Sequence, residues 1–372
     1  MNKTPTPHLY LAIELSLKTW KLSFSTREVR NPRLADVSAG DIEALFGELS
    51  KARTKLKLPE DVPVLSCYEA GRDGFWLHRL LESRGVSNVV VDAASIERPA
   101  RRMAKSDRLD ARMLVRKLMN WDAGDEQVWR VVRIPSPEVE AERALNREWR
   151  SLKKDRTRLV SQIRSVLAFQ GIQVRTLNAA LAAGLEEFRD PLDNPLSTQV
   201  QARLGRMLEH LGILDTQLKT LADDRRSARR APTTDAERKI EKFTRLKAIG
   251  DVIAETLVRD FFWREFDNRR QVGAAAGLVG VPYASGEVDR DTGISKAGNG
   301  RVRSVMIEAA WLWVRYQPQS ELTLWFQQRY GPGSRQSRKV GITALARKLL
   351  IALWRYLEDD VVPKGAVFLP ST

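Results

Sequence analysis

Leu9-Tyr10-Leu11-Ala12-Ile13-Glu14 is an apolar run closed by a carboxylate, and Trp20-Lys21-Leu22-Ser23-Phe24-Ser25 alternates apolar with polar residues. The first reads as a buried strand. The second reads as a half-buried one, since successive strand side chains point to opposite faces. Working outward, residues 41–57 carry Ile42, Leu45, Phe46 and Leu49 at helical spacing. A strand is expected at 64–68, a helix at 75–84 ending on Gly85, and a strand at 89–91. A further helix is expected at 107–119 with Leu109, Met113, Leu114 and Leu118 inward. Two strands followed by alternating helix and strand predict a mixed sheet flanked by helices, an α/β fold.

The character changes at Arg133-Ile134-Pro135-Ser136-Pro137, a boundary by composition. Beyond it Leu145, Trp149, Leu152, Leu159, Ile163 and Val166 form a heptad stripe that only Arg156 interrupts. Val200, Leu204, Met207, Leu211, Leu214, Leu218 and Leu221 form a second. Two such helices predict an antiparallel coiled-coil hairpin or half of a subunit interface. Between Arg143 and Arg175 nine Lys or Arg face only Glu148 and Asp155, a sign imbalance that suits phosphates. Residues 223–238 read as a polar linker. From 243 a third region begins, with a helix–turn–helix pattern at 246–258, glycine-rich loops at 273–300, and long apolar helices at 302–316 and 340–357. The expected domains are 1–132, 133–240 and 241–372.

A net charge of +15 and a pI near 10.0 point to a polyanionic partner, nucleic acid first. The single cysteine, Cys67, sits in an apolar run and excludes an intramolecular disulfide or a multi-cysteine zinc site. Three scattered histidines, His8, His78 and His210, make a histidine metal site or triad unpromising. No signal pattern and no membrane-length apolar run are evident, so a cytoplasmic protein is expected.

Four carboxylates fall where chemistry would want them. Glu14 and Glu69 close strands, while Asp107 and Asp110 sit three apart at a helix start and share a face. Such a set can gather oxygen ligands for Mg²⁺. Alternatively, Asp107 and Asp110 complement the helix dipole and Glu69 is a turn residue before Ala70-Gly71. Glu14, a carboxylate within an apolar strand, is costly unless paired or metal-bound. Near the other end, Gly280-Val281-Pro282-Tyr283-Ala284-Ser285-Gly286 offers a serine beside glycine, followed by Lys296, Arg301 and Arg303 as phosphate-holding cations. Ser285 could attack phosphorus; Ser295 competes with it.

Tyr68-Glu69-Ala70-Gly71, Lys105-Ser106-Asp107-Arg108-Leu109-Asp110-Ala111-Arg112, Tyr283-Ala284-Ser285-Gly286 and Gly293-Ile294-Ser295-Lys296-Ala297-Gly298-Asn299 together resemble the bacterial insertion-sequence transposases of the DEDD type, the bridge-RNA-guided serine recombinases. The late helix over 339–350 fits as well. The resemblance implies a RuvC-like (ribonuclease-H-like) N-terminal domain, a coiled-coil insertion and a mainly helical, serine-bearing transposase domain. It places the four acids and their Mg²⁺ on Glu14, Glu69, Asp107 and Asp110, and the nucleophile on Ser285 rather than Ser295. The family's first acid is usually Asp where this chain has Glu14, which moves the carboxylate by a methylene. Lys105, Arg108, Arg112, Lys296, Arg301 and Arg303 are then expected on nucleic acid. The implied partners are donor and target DNA, a structured guide RNA from the element, and further copies of the chain. These copies form a tetramer in which the acids of one subunit meet the serine of another. The alternatives are a RuvC-like junction nuclease using water and a decayed nucleic-acid-binding protein.

Overall fold

The computed structural model describes residues 8–71, 74–96, 107–285 and 288–370, with backbone alone at 94, 107–109, 229, 282–285 and 288–292. These residues fall into two compact units, Met1–Ile134 and Pro135–Thr372.

In the first unit, β1 (Leu9–Glu14), β2 (Thr19–Ser25), β3 (Arg33–Ser38), β4 (Val64–Glu69) and β5 (Val86–Val91) form a five-stranded sheet in the order β3-β2-β1-β4-β5. β2 is antiparallel to β1 and β3, whereas β4 is parallel to β1 and β5. Helices α1 (Ile42–Lys55) and α2 (Trp76–Ser83) cover one face, packing Leu45, Leu49, Leu77 and Leu81 on Leu9, Leu11 and Ile13. Helix α3 (Asp107–Asp122) covers the other, packing Leu114, Val115 and Leu118 on Tyr10, Ala12, Leu65 and Cys67. β1 is therefore buried on both faces, which is why its sequence is a continuous apolar run. Each Leu or Ile so enclosed stabilises the unit by about 2 kcal/mol. The Asp41 side chain starts α1 by accepting from the Ala44 amide at 2.9 Å.

β3 was not anticipated. As an edge strand it buries only Val37 and holds its neighbour partly through a 2.9 Å Lys21–Asp36 ion pair, so its sequence lacks a strand's apolar signal.

The fully buried Tyr10 donates its hydroxyl to Asp122 at 2.6 Å, and Arg27 donates to the same carboxylate at 2.7 Å. Burial works against that carboxylate's charge, yet the Tyr10 and Arg27 donors hold it below the usual range. Its stabilisation is thus present above the unfolded pKa and lost as pH falls through the folded one. Tyr10→Phe is expected to cost about 1.5 kcal/mol at pH 7. Urea melts should show the gap from the unsubstituted protein narrowing only as pH falls below the usual carboxylate range.

In the second unit, α4 (Pro137–Phe169) and α5 (Thr198–Arg230) form an antiparallel hairpin. Arg156 pairs with Asp215, and Asn146 accepts from Arg225: ten residues back along α4 is ten onward along α5. The interruption of the first heptad stripe is that Arg156–Asp215 pair. Apolar packing is concentrated on Leu159, Ile163 and Leu167 against Leu204, Leu208, Leu211 and Leu214, while Leu145, expected inside, is 50% exposed.

The expected linker is largely helical: α5 runs to Arg230, and α6 (Asp235–Thr244) starts on a Thr234/Glu237 capping box. A turn leads into α7 (Asp251–Asp260), then α8 (Arg269–Ala275). β6 (Gly280–Ser285) and β7 (Val288–Ile294) make an antiparallel hairpin where loops were expected. Helices α9 (Gly300–Tyr316), α10 (Glu321–Tyr330) and α11 (Arg335–Glu358) complete the unit around Phe243, Phe261, Trp313, Leu345 and Leu349. A Cβ at Gly341 would strike the Tyr330 ring, so glycine there lets α10 lie close on α11.

Candidate active site

Ile13 of β1 is in register with Tyr68 of the parallel β4, so Glu14 and Glu69 close neighbouring central strands at the same end of the sheet. By strand alternation they share the face of Tyr10, Ala12, Leu65 and Cys67, which is the face that carries α3. Both are half-buried, and with Ser16 and Gly71 they line a pocket of about 360 Å³. The Tyr10–Asp122 bond puts the last turn of α3 over the beginning of β1. The helix therefore runs opposite to β1, and its first turn, with Asp107 and Asp110, lies toward the strand ends. From Asp110 to Asp122 it spans about 18 Å, against about 13 Å from Tyr10 to Glu14, so Asp110 falls about one helical turn beyond the strand ends.

Backbone topology thus directs all four acid positions to one end of the first unit. Asp110 is half-buried and Arg112 exposed. The side chains of Asp107 and Arg108, and all of Lys105, lie outside the described residues. Among the described residues no three His, Cys, Asp or Glu side chains gather as a metal cluster. Burial, then the nearby Glu69 charge, pushes the Cys67 thiol far up, which suits a packed core thiol and not a nucleophile.

In the second unit Ser285 pairs with Val288 as the last rung of the β6–β7 ladder, so it stands at the hairpin turn. Ser295 follows the hairpin in an exposed loop, its amide donating to the Val279 carbonyl at 2.8 Å. The glycines expected to admit a ligand admit backbone instead. A Cβ at Gly277 would meet the Ala297 carbonyl, and one at Gly298 would meet that of Ala275; both have positive φ. Lys296 is exposed at φ 56°.

Arg301 and Arg303, expected on phosphates, point into the protein. Arg301 pairs with Asp260 and donates to Thr256 at 3.0 Å, and burial pushes its guanidinium down to about 10. Arg303 donates to the carbonyls of Ala276 at 3.3 Å and Lys296 at 3.1 Å, which ties the post-hairpin loop to the end of α8. The Asp260 pair belongs to a larger buried network. Asn146 donates to Asp260 at 3.2 Å, and Arg225 pairs with Glu255 at 3.0 Å while lying over Trp149. This network fastens the base of the helical hairpin to α7 and α9. Its partners lie far apart in sequence, so no local spacing announces it. Asp260→Ala would leave Arg301 buried without its counter-charge and is expected to cost about 3 kcal/mol, measured by urea unfolding of the full chain.

The sequence profile of the transposase family IS116/IS110/IS902 matches residues 240–324, the stretch that contains α7, the hairpin with Ser285 and α9. Over nearly the whole length, the chain is 39% identical to a putative transposase, y4rJ, of Sinorhizobium fredii, covering 96% of this chain and 94% of that one. The chain belongs to this insertion-sequence transposase family. Within it, the chain is also 26% identical to a probable family 20 transposase of Pseudomonas aeruginosa, over 84% of this chain and 89% of the other. It is 23% identical to the transposase for insertion sequence element IS1111A of Coxiella burnetii, over 75% and 74%. As a transposase it acts on DNA, in keeping with its charge of +15. No helix among the described residues is long and apolar enough to cross a membrane.

Proposed function

We propose that this transposase cuts and rejoins DNA through a phosphoserine intermediate on Ser285, with Mg²⁺ held by the acids of its RuvC-like unit and target choice delegated to a guide RNA. The observation that carries the reading is the position of Ser285. It ends β6 as the last paired residue of the β6–β7 hairpin, within the segment that matches the transposase family.

The donor set suits a hard cation: Glu14 and Glu69 end adjacent parallel strands on an open pocket, and Asp107 and Asp110 start the helix directed to the same end. Mg²⁺ bound there would neutralise charge on the scissile phosphate. For the chain's own residues, the Ser285 Oγ forms a bond to phosphorus as the bond to the 3′ oxygen breaks. The serine hydroxyl gives up its proton, and the departing 3′ oxygen takes one up. The 3′ hydroxyl of a partner strand then attacks the phosphoserine, regenerating Ser285 and joining new ends. The link conserves the phosphodiester energy, so no nucleotide is consumed. Lys296 and Arg112, both exposed, are free to hold backbone phosphates, while Arg301 and Arg303 hold the loop in place. The acids of one copy act with the serine of another in a tetramer, and base pairing with the element's RNA selects the sites.

The test is a denaturing gel of the protein with its element's RNA and DNA in Mg²⁺. A detergent-resistant protein–DNA adduct, lost in Ser285→Ala and Asp107→Ala but kept in Ser295→Ala, supports the reading. Cleavage without an adduct that survives Ser285→Ala means a water-using nuclease.

A further inference from the structure

One face of α11 is turned to an open groove of about 770 Å³, floored by β6 and β7 at Gly280 and Gly293. Lys339, Thr343 and Arg347 recur at four-residue spacing along that face, with Val340, Ala344 and Lys348 beside them. Arg269 and Arg270 at the start of α8, and Lys296 after β7, close the other side. Among the described residues six cations therefore line the groove, and no Asp or Glu does. Among the described residues none of the six forms an ion pair. This contrasts with Arg156, Arg225 and Arg301 in the same unit, which are all paired. Gly273 leaves room for the Arg347 side chain, whose Nε would lie 3.1 Å from a Cβ placed there. Trp325 adds an aromatic wall beneath the Lys348 ammonium, 4.6 Å from the ring centre.

Concentrated like charge without counter-charge is costly in a protein that binds nothing there, and it matches a polyanion's backbone. The size selects the kind. A duplex is broader than its major groove, itself about 12 Å wide, and so is too thick to sink into a cleft of about 770 Å³, whereas a basic channel with an aromatic wall is how single strands are held. We infer that the α8–α11 groove binds the phosphodiester backbone of a single-stranded segment and leads it past the β6–β7 hairpin. This deepens the strand-exchange reading and rests on it for the identity of the strand: the groove floor is the hairpin that carries Ser285.

The experiment measures equilibrium binding of the full chain to single-stranded DNA, single-stranded RNA and duplex DNA oligonucleotides across a salt series. The unsubstituted protein is compared with Arg270→Gln/Lys339→Gln, and with Arg30→Gln/Lys55→Gln, exposed cations of the first unit, as the control. Each lost contact to a single strand lowers the magnitude of the log K against log salt slope by about 0.7, so the groove pair is expected to lower it by about 1.4 while the control leaves it unchanged. Arg270→Lys/Lys339→Arg should restore the slope. A change confined to DNA assigns a DNA strand to the groove, and one confined to RNA assigns a guide segment. No difference between groove and control pairs, or a change seen for duplex alone, overturns the inference. The covalent chemistry is read separately: if the adduct on Ser285 fails to form while the slope still falls, the groove stands and the serine mechanism does not.

Discussion

Ser285→Ala is expected to abolish strand exchange, lowering its rate by at least about a thousandfold, while DNA binding changes less than about twofold. The asymmetry follows from what the substitution removes. Ser285 closes a hairpin of which it is the last paired residue, so alanine keeps the ladder and the neighbouring groove. What is lost is the atom that bonds to phosphorus, and loss of a nucleophile costs far more rate than loss of a positioning contact. Ser295→Ala removes a hydroxyl from an exposed loop held by backbone bonds, and should leave the rate within a few fold. Single-turnover joining assays beside filter binding check both halves.

The second large effect is expected at the acids. Glu69→Gln keeps the length and hydrogen-bonding shape of the side chain but halves the charge at the edge shared by β1 and β4. Mg²⁺-dependent joining should drop by about a hundredfold or more, comparable to losing one preorganised electrostatic group. A readout independent of activity comes from linkage: a ligand that binds only the folded state at a hundred times its Kd stabilises it by about 2.7 kcal/mol. Mg²⁺ should therefore raise the Tm of the unsubstituted protein and not that of Glu69→Gln. A shift of equal size in both would place the metal elsewhere.

The sheet and the strand-end positions of Glu14 and Glu69 were legible because their signals are local. A strand buried on both faces is a continuous apolar run, and Glu14 and Glu69 are visible as charges that end such runs. The edge strand β3 was not, since one buried Val37 among polar residues carries no pattern. The β6–β7 hairpin was hidden by composition. Gly280 and Pro282 read as loop, and the ladder does shift register between them, which an isolated two-stranded hairpin tolerates. The helix α6 was announced by Thr234-Asp235-Ala236-Glu237, a capping box overlooked within a charged tract. Among the site cations, charge and spacing could not distinguish those that face solvent from those that brace the fold. Arg301 and Lys296 look equivalent in sequence. Only the position of Asp260, 41 residues away, turns the first inward. The groove face of α11 had a usable signal in the four-residue spacing of Lys339 and Arg347, masked by the apolar residues that pack its other side.

The most direct test of the central claim is the position of the covalent bond. Trypsin cuts after Arg270, Arg290 and Lys296, so Ser285 and Ser295 fall on different peptides, 271–290 and 291–296. The full chain is incubated with its element's RNA and DNA in Mg²⁺, digested with nuclease and trypsin, and analysed by mass spectrometry. A phosphonucleotide on Ser285 of peptide 271–290, absent without Mg²⁺, is the predicted result. Cut DNA with both peptides unmodified, or a nucleotide on Ser295, would contradict it.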